Sequence, residues 1–195
     1  MSLSNATFPL GPLHCRWLPH ARGQAAEPVV RAWLAGQLHC AQDAVPLQRT
    51  ARGRPHLAAP FTDADVSWSH SGDGLLMAWG RGVRVGADVE RLRPRPRALD
   101  LSQRYFTAAE TQWLGGQSDH AREEAFIRLW CAKEAVLKAH GHGLAFGLDR
   151  LAFEETREGL MLVECDAELG DASAWSLIEF VPAKGYRAAF AWRGA

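Results

Sequence analysis

Apolar and polar positions follow two periods along this chain, one typical of helices and one typical of strands. The segment EPVVRAWLAGQLH has apolar residues at helical spacing, with Pro28 suited to the first turn. The runs VSWSHS, GLLMAWGR and VRVGADVE are short, alternate in polarity and are interrupted by glycines, which predicts three successive strands. A mixed helix and strand protein is therefore expected.

The longest helical pattern lies in the second half of the chain. Thr107 with Glu110 predicts a capping box for a short helix. A longer helix is expected from Ser118 to His140, with Gly141 ending it. Its apolar stripe consists of Phe126, Leu129, Trp130, Lys133, Val136 and Leu137.

Two stretches are expected to lack regular structure. Residues 1–25 are rich in Pro, Gly and Ala and predict an irregular or weakly ordered segment. The run RLRPRPR cannot form a regular element, because its prolines lack backbone donors and restrict their neighbours.

The tail predicts strands again. Its apolar runs RLAFE, GLMLVEC, WSLIEF and YRAAFAW are most simply an antiparallel set. The expected fold class is α+β, with two units that meet near residue 84.

Composition adds the kind of protein and its surroundings. At 195 residues, 47% hydrophobic and 23% charged, the chain has the composition of a soluble globular protein. A net charge of zero does not indicate general attraction to nucleic acid or to an anionic membrane. The four cysteines are scattered without a C-x-x-C pair, and no stretch is long and apolar enough to be a leader or a membrane span. We therefore expect a cytoplasmic protein.

Charge is nevertheless divided unevenly between the halves. Residues 1–84 carry eight arginines against five acids, whereas residues 85–195 carry 14 basic residues against 17 acids. Fixed positive charge in the first half thus faces an acid-rich second half.

Three carboxylates are the candidate metal ligands. Asp88 and Glu90 lie two apart on a predicted strand, so both leave the same face. Glu134 lies on the long helix, one turn before Lys138 and directly after Lys133. The alternatives are a solvated strand end and a surface Glu–Lys pair, but 19 of the 22 basic residues are arginine, and two of the three lysines flank Glu134. Carboxylates beside compact cations are typical of magnesium held against a phosphate.

Basic and polar residues upstream are candidate phosphate contacts. Arg49, Arg52 and Arg54 surround a Gly-Pro turn, where guanidinium groups favour phosphate, although a solvated basic loop has the same pattern. Ser69 and His70 end a predicted strand, and no acidic residue next to them completes a nucleophilic triad.

Taken in order, these stretches resemble the 4'-phosphopantetheinyl transferase superfamily in its longer, single-chain form. The resemblance rests on LQRTARGRPHL, WSHSGDGLLMAWG, VGADVE, FTAAE and LWCAKEAVLKAHGHGL, and the last matches the family pattern W-x-x-K-E-x-x-x-K. It implies two similar α+β lobes, a pseudo-dimer over residues 1–84 and 85–195, with the active site in the cleft between them.

The resemblance also implies the chemistry. Such an enzyme uses Mg²⁺ and takes coenzyme A as co-substrate, moves the 4'-phosphopantetheine group to a serine of an apo acyl or peptidyl carrier protein, and releases adenosine 3',5'-bisphosphate. A cytoplasmic monomer is expected. One departure is that residues 1–30 contain only two arginines, fewer basic residues than family members usually carry there.

Roles carry over by position. Asp88, Glu90 and Glu134 would bind the metal, with Glu134 and Lys138 catalytic. The coenzyme contacts would be Arg49, Arg52, Arg54, Ser69, His70, Asp88, Lys133 and Lys138. Alternatives are a coenzyme A or nucleotide binding module without catalysis, a phosphodiesterase acting on holo carrier protein, and a structural interaction protein.

Overall fold

An antiparallel sheet forms most of the first part of the chain in the computed structural model, which describes residues 7–195. The elements of residues 7–82 are β1 (Phe8–Leu10), β2 (Leu13–Pro19), α1 (Glu27–Leu38), β3 (Leu47–Arg49), β4 (Pro55–Leu57), β5 (Ala64–Ser71) and β6 (Gly74–Arg81). The sheet has the order β1-β2-β6-β5, and β3 pairs with β4 in a separate hairpin. Apolar residues of α1 pack on one face of this sheet.

A second antiparallel sheet lies in the remaining chain, with the order β10-β11-β7, beside the hairpin of β8 and β9. The elements of residues 83–195 are β7 (Val83–Arg91), α2 (Ala98–Tyr105), α3 (Ala108–Gly115), α4 (Asp119–His140), β8 (Leu151–Thr156), β9 (Gly159–Cys165), β10 (Ser176–Phe180) and β11 (Tyr186–Gly194). This is the expected α+β class with antiparallel sheets.

Helix α4 lies directly against β7. A Cβ atom added to Gly86 would lie 1.8 Å from the carbonyl oxygen of Ala135, so only glycine allows this approach. Residues of α4, including Ala135, form the centre of the largest apolar cluster. The close contact brings the side chains at the end of α4 to those of β7.

Side chains, not a backbone ladder, join β5 to β7 in the described residues. Every second residue of β5 from Asp65 to Ser71 bonds to β7, and we call these four bonds the β5–β7 seam. They are Asp65 Oδ2 from the Val85 N–H (2.8 Å), Ser67 Oγ from the Ala87 N–H (3.0 Å), Ser69 Oγ to Asp88 (2.8 Å) and Ser71 Oγ from the Arg91 N–H (3.1 Å).

Most predicted elements are confirmed. Thr107 and Glu110 form the capping box, and α4 ends at Gly141, whose φ of 98° is left-handed. The tail consists of antiparallel strands, and residues 92–97 are in neither a helix nor a strand. The division at residue 84 falls inside β7 and stays a prediction.

The expectation that residues 1–25 are irregular is wrong for the strands β1 and β2. Leu13, Cys15 and Trp17 alternate with more exposed residues, and β2 pairs with β6 in the interior of the sheet. The surrounding Pro and Gly hid this alternation. Residues 1–6 lie outside the described residues. None of the helices in residues 7–195 is long and apolar enough to cross a membrane.

Candidate active site

Asp88 lies at the centre of a polar cluster between β7, β5 and α4. It is 4% exposed, and its Oδ1 accepts hydrogen bonds from Ser69 Oγ at 2.8 Å and from Lys138 Nζ at 2.6 Å. Its other oxygen, Oδ2, is buried and has no hydrogen-bond partner. A buried carboxylate oxygen without a partner is costly, so Oδ2 is available as a ligand atom.

Glu134 faces the same cluster from α4 and is 7% exposed. Burial first, and the charge of Asp88 second, raise its pKa to about 7, against the opposing effect of Lys138. A carboxyl group with this pKa can accept or release a proton near neutral pH.

Glu90 lies at the more open end of the cluster. Its carboxylate accepts a hydrogen bond from Ser71 at 3.0 Å and lies 3.4 Å from the Arg95 guanidinium. Burial and the Asp88 charge raise its pKa. Asp88, Glu90 and Glu134 are thus close enough to influence one another, and burial first, then the charge of Asp88, raises the pKa of Glu90 and of Glu134.

Lys138 supplies the compensating positive charge. Its side chain is 30% exposed, and its Nζ also donates to Ser69 Oγ at 3.0 Å. Burial lowers its pKa, but the carboxylates of Asp88 and Glu134 outweigh that effect, and the pKa is raised. Lys138 is therefore positively charged at neutral pH.

The three carboxylates are the type of ligand that magnesium prefers, but their side chains are not arranged around one ion position. Hard carboxylate oxygens, one of them buried without a partner, are what this ion prefers. Within residues 7–195, however, no three His, Cys, Asp or Glu side chains are grouped so that they could hold a metal ion. Lys138 instead lies against Asp88.

A pocket of about 230 Å³ opens on the other side of Lys138. It lies between the turn that joins β3 to β4, one face of β5 and the segment after α4. Its lining includes Arg49, Arg52, Arg54, Trp68, Lys138 and His142. Basic groups thus line a cavity that shares Lys138 with the acidic cluster.

The three arginines of this pocket differ in what they can bind. Arg52 is exposed and makes no ion pair within the described part of the chain. Arg49 is half exposed, donates to Glu27 and the Gly53 carbonyl, and lies over Trp68 at 5.4 Å. Arg52 is therefore the arginine best placed to bind an anion.

Arg54 is a correction to the sequence analysis. Its Nε donates to the Lys138 carbonyl at 2.9 Å, its Nη1 to Asp65 at 2.9 Å and to the Pro55 carbonyl, and its Nη2 to Asp65 and the Val85 carbonyl. It is 8% exposed. Because every guanidinium N–H is bonded within the protein, the structure contradicts the expected phosphate role, and Arg54 instead joins the two sheets.

Lys133 is a second correction. Its side chain is fully buried and pairs with Glu110 at 2.8 Å, on the side of α4 away from Asp88. Adjacent helix residues point about 100° apart, and all three partners of the Lys133 ammonium group lie away from Asp88, in Glu110, Leu148 and Leu151. The structure does not bring Lys133 to the pocket.

Ser69 and His70 separate because successive strand residues point to opposite faces. Ser69 contacts Asp88 and Lys138, whereas His70 is exposed, on the face of β5 that carries Trp68, with its ring 5.9 Å from that of His20. A coenzyme contact for His70 stays a prediction.

The sequence analysis missed the polar residues that hold this site together. Asp65 and Ser71 bond to β7 through the seam, and Ser71 also contacts Glu90. The pattern Asp-x-Ser-x-Ser-x-Ser over residues 65–71 was the signal that could have identified them, since one polar face on a buried strand needs polar partners.

The family model of the 4'-phosphopantetheinyl transferase superfamily matches residues 84–191. The chain belongs to this superfamily. The matched region runs from β7 into β11 and includes Asp88, Glu90, Glu134 and Lys138, while the arginine-lined hairpin of β3 and β4 lies before it.

Other members of the superfamily resemble a larger part of the chain. The 4'-phosphopantetheinyl transferase HetI of Nostoc sp. is 34% identical over 163 residues, which is 83% of this chain and 66% of that protein. The human L-aminoadipate-semialdehyde dehydrogenase-phosphopantetheinyl transferase is 31% identical over 140 residues, 67% of this chain and 45% of the relative. This superfamily member thus spans about half to two thirds of the length of these curated relatives.

A solved structure in the same comparison is a holo-(acyl-carrier-protein) synthase from Bacillus anthracis in complex with CoA (3',5'-ADP). It is 20% identical, covers 57% of this chain and 95% of its own, and superposes with a TM-score of 0.46.

Proposed function

We propose that this superfamily member transfers the 4'-phosphopantetheine group of coenzyme A to a serine of an apo carrier protein and releases adenosine 3',5'-bisphosphate. The observation that carries the proposal is the position of Lys138. Its Nζ contacts Asp88 in the acidic cluster, while the same residue lines the basic pocket. A diphosphate bound at Lys138 would have cations on one side and carboxylates on the other.

In this proposal the coenzyme occupies the pocket between the halves of the chain. Arg52 and Lys138 bind its phosphates, with Arg49 beside them, and the nucleotide lies along the face of β5 that carries Trp68 and His70. Point charges and guanidinium groups suit phosphate oxygens. We further propose that residues 1–84 and 85–195 are two similar lobes and that this pocket is the cleft between them.

We include magnesium in the proposed function because three carboxylates of the site could bind it. Asp88, Glu90 and Glu134 would hold it, and Asp88 Oδ2 has no other partner. When bound, the ion neutralises charge on the diphosphate.

The residues of the chain supply proton transfer and charge stabilisation. Glu134 accepts the proton of the carrier serine, whose oxygen then attacks the β-phosphorus of the coenzyme. The bond from that phosphorus to the bridging oxygen breaks, and adenosine 3',5'-bisphosphate leaves with the bridging oxygen. Lys138 stabilises the negative charge of this leaving group.

The partner in this proposal is an acidic acyl or peptidyl carrier protein. A groove of about 500 Å³ lies between α2, α4 and the segment after α4, and its lining includes Arg95, Arg104 and the exposed side chains of Tyr105 and Leu144. Arg93 and Arg97 lie in the irregular segment before α2. Positive charge beside an apolar groove favours an acidic partner with apolar contacts. A cytoplasmic location and a monomeric state stay predictions.

Mass spectrometry of apo acyl and peptidyl carrier proteins tests the proposal. With coenzyme A and Mg²⁺ present, we expect a carrier to gain one phosphopantetheine group while adenosine 3',5'-bisphosphate appears in equal amount. Coenzyme A binding without any gain would instead indicate a binding module. Loss of the arm from holo carrier without added coenzyme A would indicate a phosphodiesterase.

A further inference from the structure

Lys133 and Glu110 form an ion pair with almost no contact with solvent. The side chains are 0% and 1% exposed, and Lys133 Nζ lies 2.8 Å from Glu110 Oε2. The same Nζ donates to the Leu148 carbonyl at 2.8 Å and to the Leu151 carbonyl. The three donors of the ammonium group are therefore all used.

The acceptor is equally complete. Glu110 Oε2 also accepts from the Thr107 N–H and hydroxyl, each at 2.9 Å, and Oε1 accepts from the Phe153 N–H at 2.9 Å. The ion pair therefore links the start of α3, the middle of α4, residues 148–151 and strand β8. Burial lowers the pKa of Lys133, and the Glu110 carboxylate opposes that effect.

Stability alone is a weak explanation for such a pair. Apolar residues of similar volume at a buried ion pair are often as stabilising or more so, because charges lose hydration on burial. The pair instead constrains the orientation of the elements that it joins, because each of its hydrogen bonds restricts an angle as well as a distance.

The rotation of helix α4 depends on a few specific contacts, of which the close approach of Ala135 to Gly86 is one and the Lys133–Glu110 pair, on another side of the helix, is a second. Of residues 125–139 almost all are buried, on every side of the helix. A helix that is buried all round has no single apolar face to define its rotation about its axis. The ion pair of Lys133, the residue next to Glu134, can therefore set the rotation of α4 about its axis.

We propose that Lys133 and Glu110 are a positioning pair, which sets the rotation of α4 so that Glu134 and Lys138 face β7, and which makes no contact with the coenzyme. The inference rests on the proposed transferase function. The pair also holds the far end of segment 141–151, whose first residues, Gly141 to Gly143, line the basic pocket.

Glu110→Gln and Lys133→Met separate positioning from phosphate binding. We expect kcat of carrier modification to fall roughly 10- to 100-fold, as small displacements of catalytic groups do. The Kd of coenzyme A, measured by calorimetry without carrier protein, should change less than about twofold. Loss of an ionic contact with a phosphate would raise this Kd much more than twofold. A large rise in Kd for Lys133→Met with unchanged kcat would identify Lys133 as a phosphate ligand and overturn the proposal.

The double variant Lys133→Met with Glu110→Leu guards against simple unfolding of the single variants. It leaves no unpaired buried charge, although the Leu148 carbonyl and the Phe153 N–H lose their partners, and circular dichroism should show it folded. Its kcat should nevertheless fall as far as in the worse single variant. A kcat close to that of the wild type in a folded double variant would contradict the positioning role.

Arg128→Met is the matched control. Arg128 lies on the same helix and pairs with Glu155 and Glu179, away from the acidic cluster. It should lose stability without losing kcat, and an equal loss of kcat would show that any weakening of α4 has this effect.

Hydrogen exchange tests the positioning role of the Lys133–Glu110 pair without an activity assay. Amides of residues 141–151 should exchange faster in Glu110→Gln than in Arg128→Met, and equal rates would count against the pair. A wild type that modifies no carrier would overturn the proposed function, and this comparison would still report on the pair.

Discussion

Glu134 is the proposed catalytic residue, and its position in the site raises its pKa to about 7. It faces Asp88 and Lys138 in a buried position, and it is the proposed acceptor of the serine proton. Glu134→Gln keeps the shape and removes the basic oxygen, so we expect transfer to fall on the order of 10²- to 10⁴-fold. Carrier modification followed by mass spectrometry measures this loss.

Glu123→Gln on the same helix controls for the loss of one negative charge. It should retain transfer activity, and circular dichroism should show both variants folded. Turnover near the wild-type rate in Glu134→Gln would remove Glu134 from the mechanism.

The raised pKa of Glu134 also makes stability depend on pH. The folded protein has a pKa of about 7 at this group, whereas the unfolded chain has about 4.3. Between these values the folded state holds a proton that the unfolded state has released, so stability falls as pH rises through this window. The loss attributable to Glu134 over the whole window is about 4 kcal/mol in metal-free protein.

Urea unfolding with a chelator, at pH 5 and pH 8, measures this effect. Wild type should lose more stability over the interval than Glu134→Gln does. An equal loss in both proteins would mean that Glu134 is ionised in the folded state throughout.

Arg52 and Arg54 lie two residues apart and are predicted to do different work. Arg52→Ala should raise the KM for coenzyme A roughly tenfold or more, the loss of one ionic contact, with little change in Tm. Arg54→Ala should instead destabilise the fold by about 3–5 kcal/mol, because it leaves Asp65 buried and unpaired. Steady-state kinetics and thermal unfolding of both variants test this, and the reverse assignment of effects would contradict it.

The sequence predicted which residues carry useful chemistry better than it predicted which residues they contact. Asp88, Glu90, Glu134 and Lys138 could be singled out because a strand period and a helix period place them on defined faces, and their roles stay predictions. Arg54 and Lys133 were assigned wrongly, because their partners Asp65 and Glu110 lie in other elements. Contacts between separate elements are not readable from one sequence.

Among the elements, α4 and β7 form the contact on which the site depends. Gly86→Ala would place a methyl group against the backbone of Ala135, which cannot move without moving the helix. We expect a loss of about 1–3 kcal/mol and a lower kcat. Gly36→Ala in α1 is the control, since nothing lies within 4 Å of its added Cβ, and it should be neutral or stabilising by up to about 1 kcal/mol. Equal thermal stability of the two variants would contradict the close contact.

Element boundaries were predictable where local chemistry sets them. The capping box of α3 and the left-handed glycine after α4 are local features, and both are confirmed. Strand β2 was missed although Leu13, Cys15 and Trp17 alternate, because overall Pro and Gly content was given more weight than period. Helix α2 was not predicted either, since the prolines before it dominated the interpretation of that region.

For the whole molecule, the charge asymmetry between the halves predicts how they meet, whereas the docking of an acidic partner is predicted from a local group of arginines before and within α2. The basic pocket and the acidic cluster adjoin at Lys138, as the uneven charge indicated. Arg93→Glu with Arg104→Glu should raise the KM for carrier protein several-fold and leave the KM for coenzyme A unchanged, because charges at the rim of an interface mainly steer the partner.

Arg157→Glu, at the turn between β8 and β9, is the control for added negative charge. It should leave both constants unchanged. An unchanged KM for carrier protein in the Arg93 and Arg104 variant would place docking elsewhere.

In the proposed complex a single diphosphate lies at Lys138, between Arg52 of residues 1–84 and the carboxylates of residues 85–195. A crystal structure with coenzyme A and Mn²⁺, whose anomalous scattering locates the ion, tests it most directly. We predict the diphosphate between Arg52 and Lys138, with the metal peak among Asp88, Glu90 and Glu134. A diphosphate bound away from Lys138, or a metal peak remote from Asp88, would contradict the account.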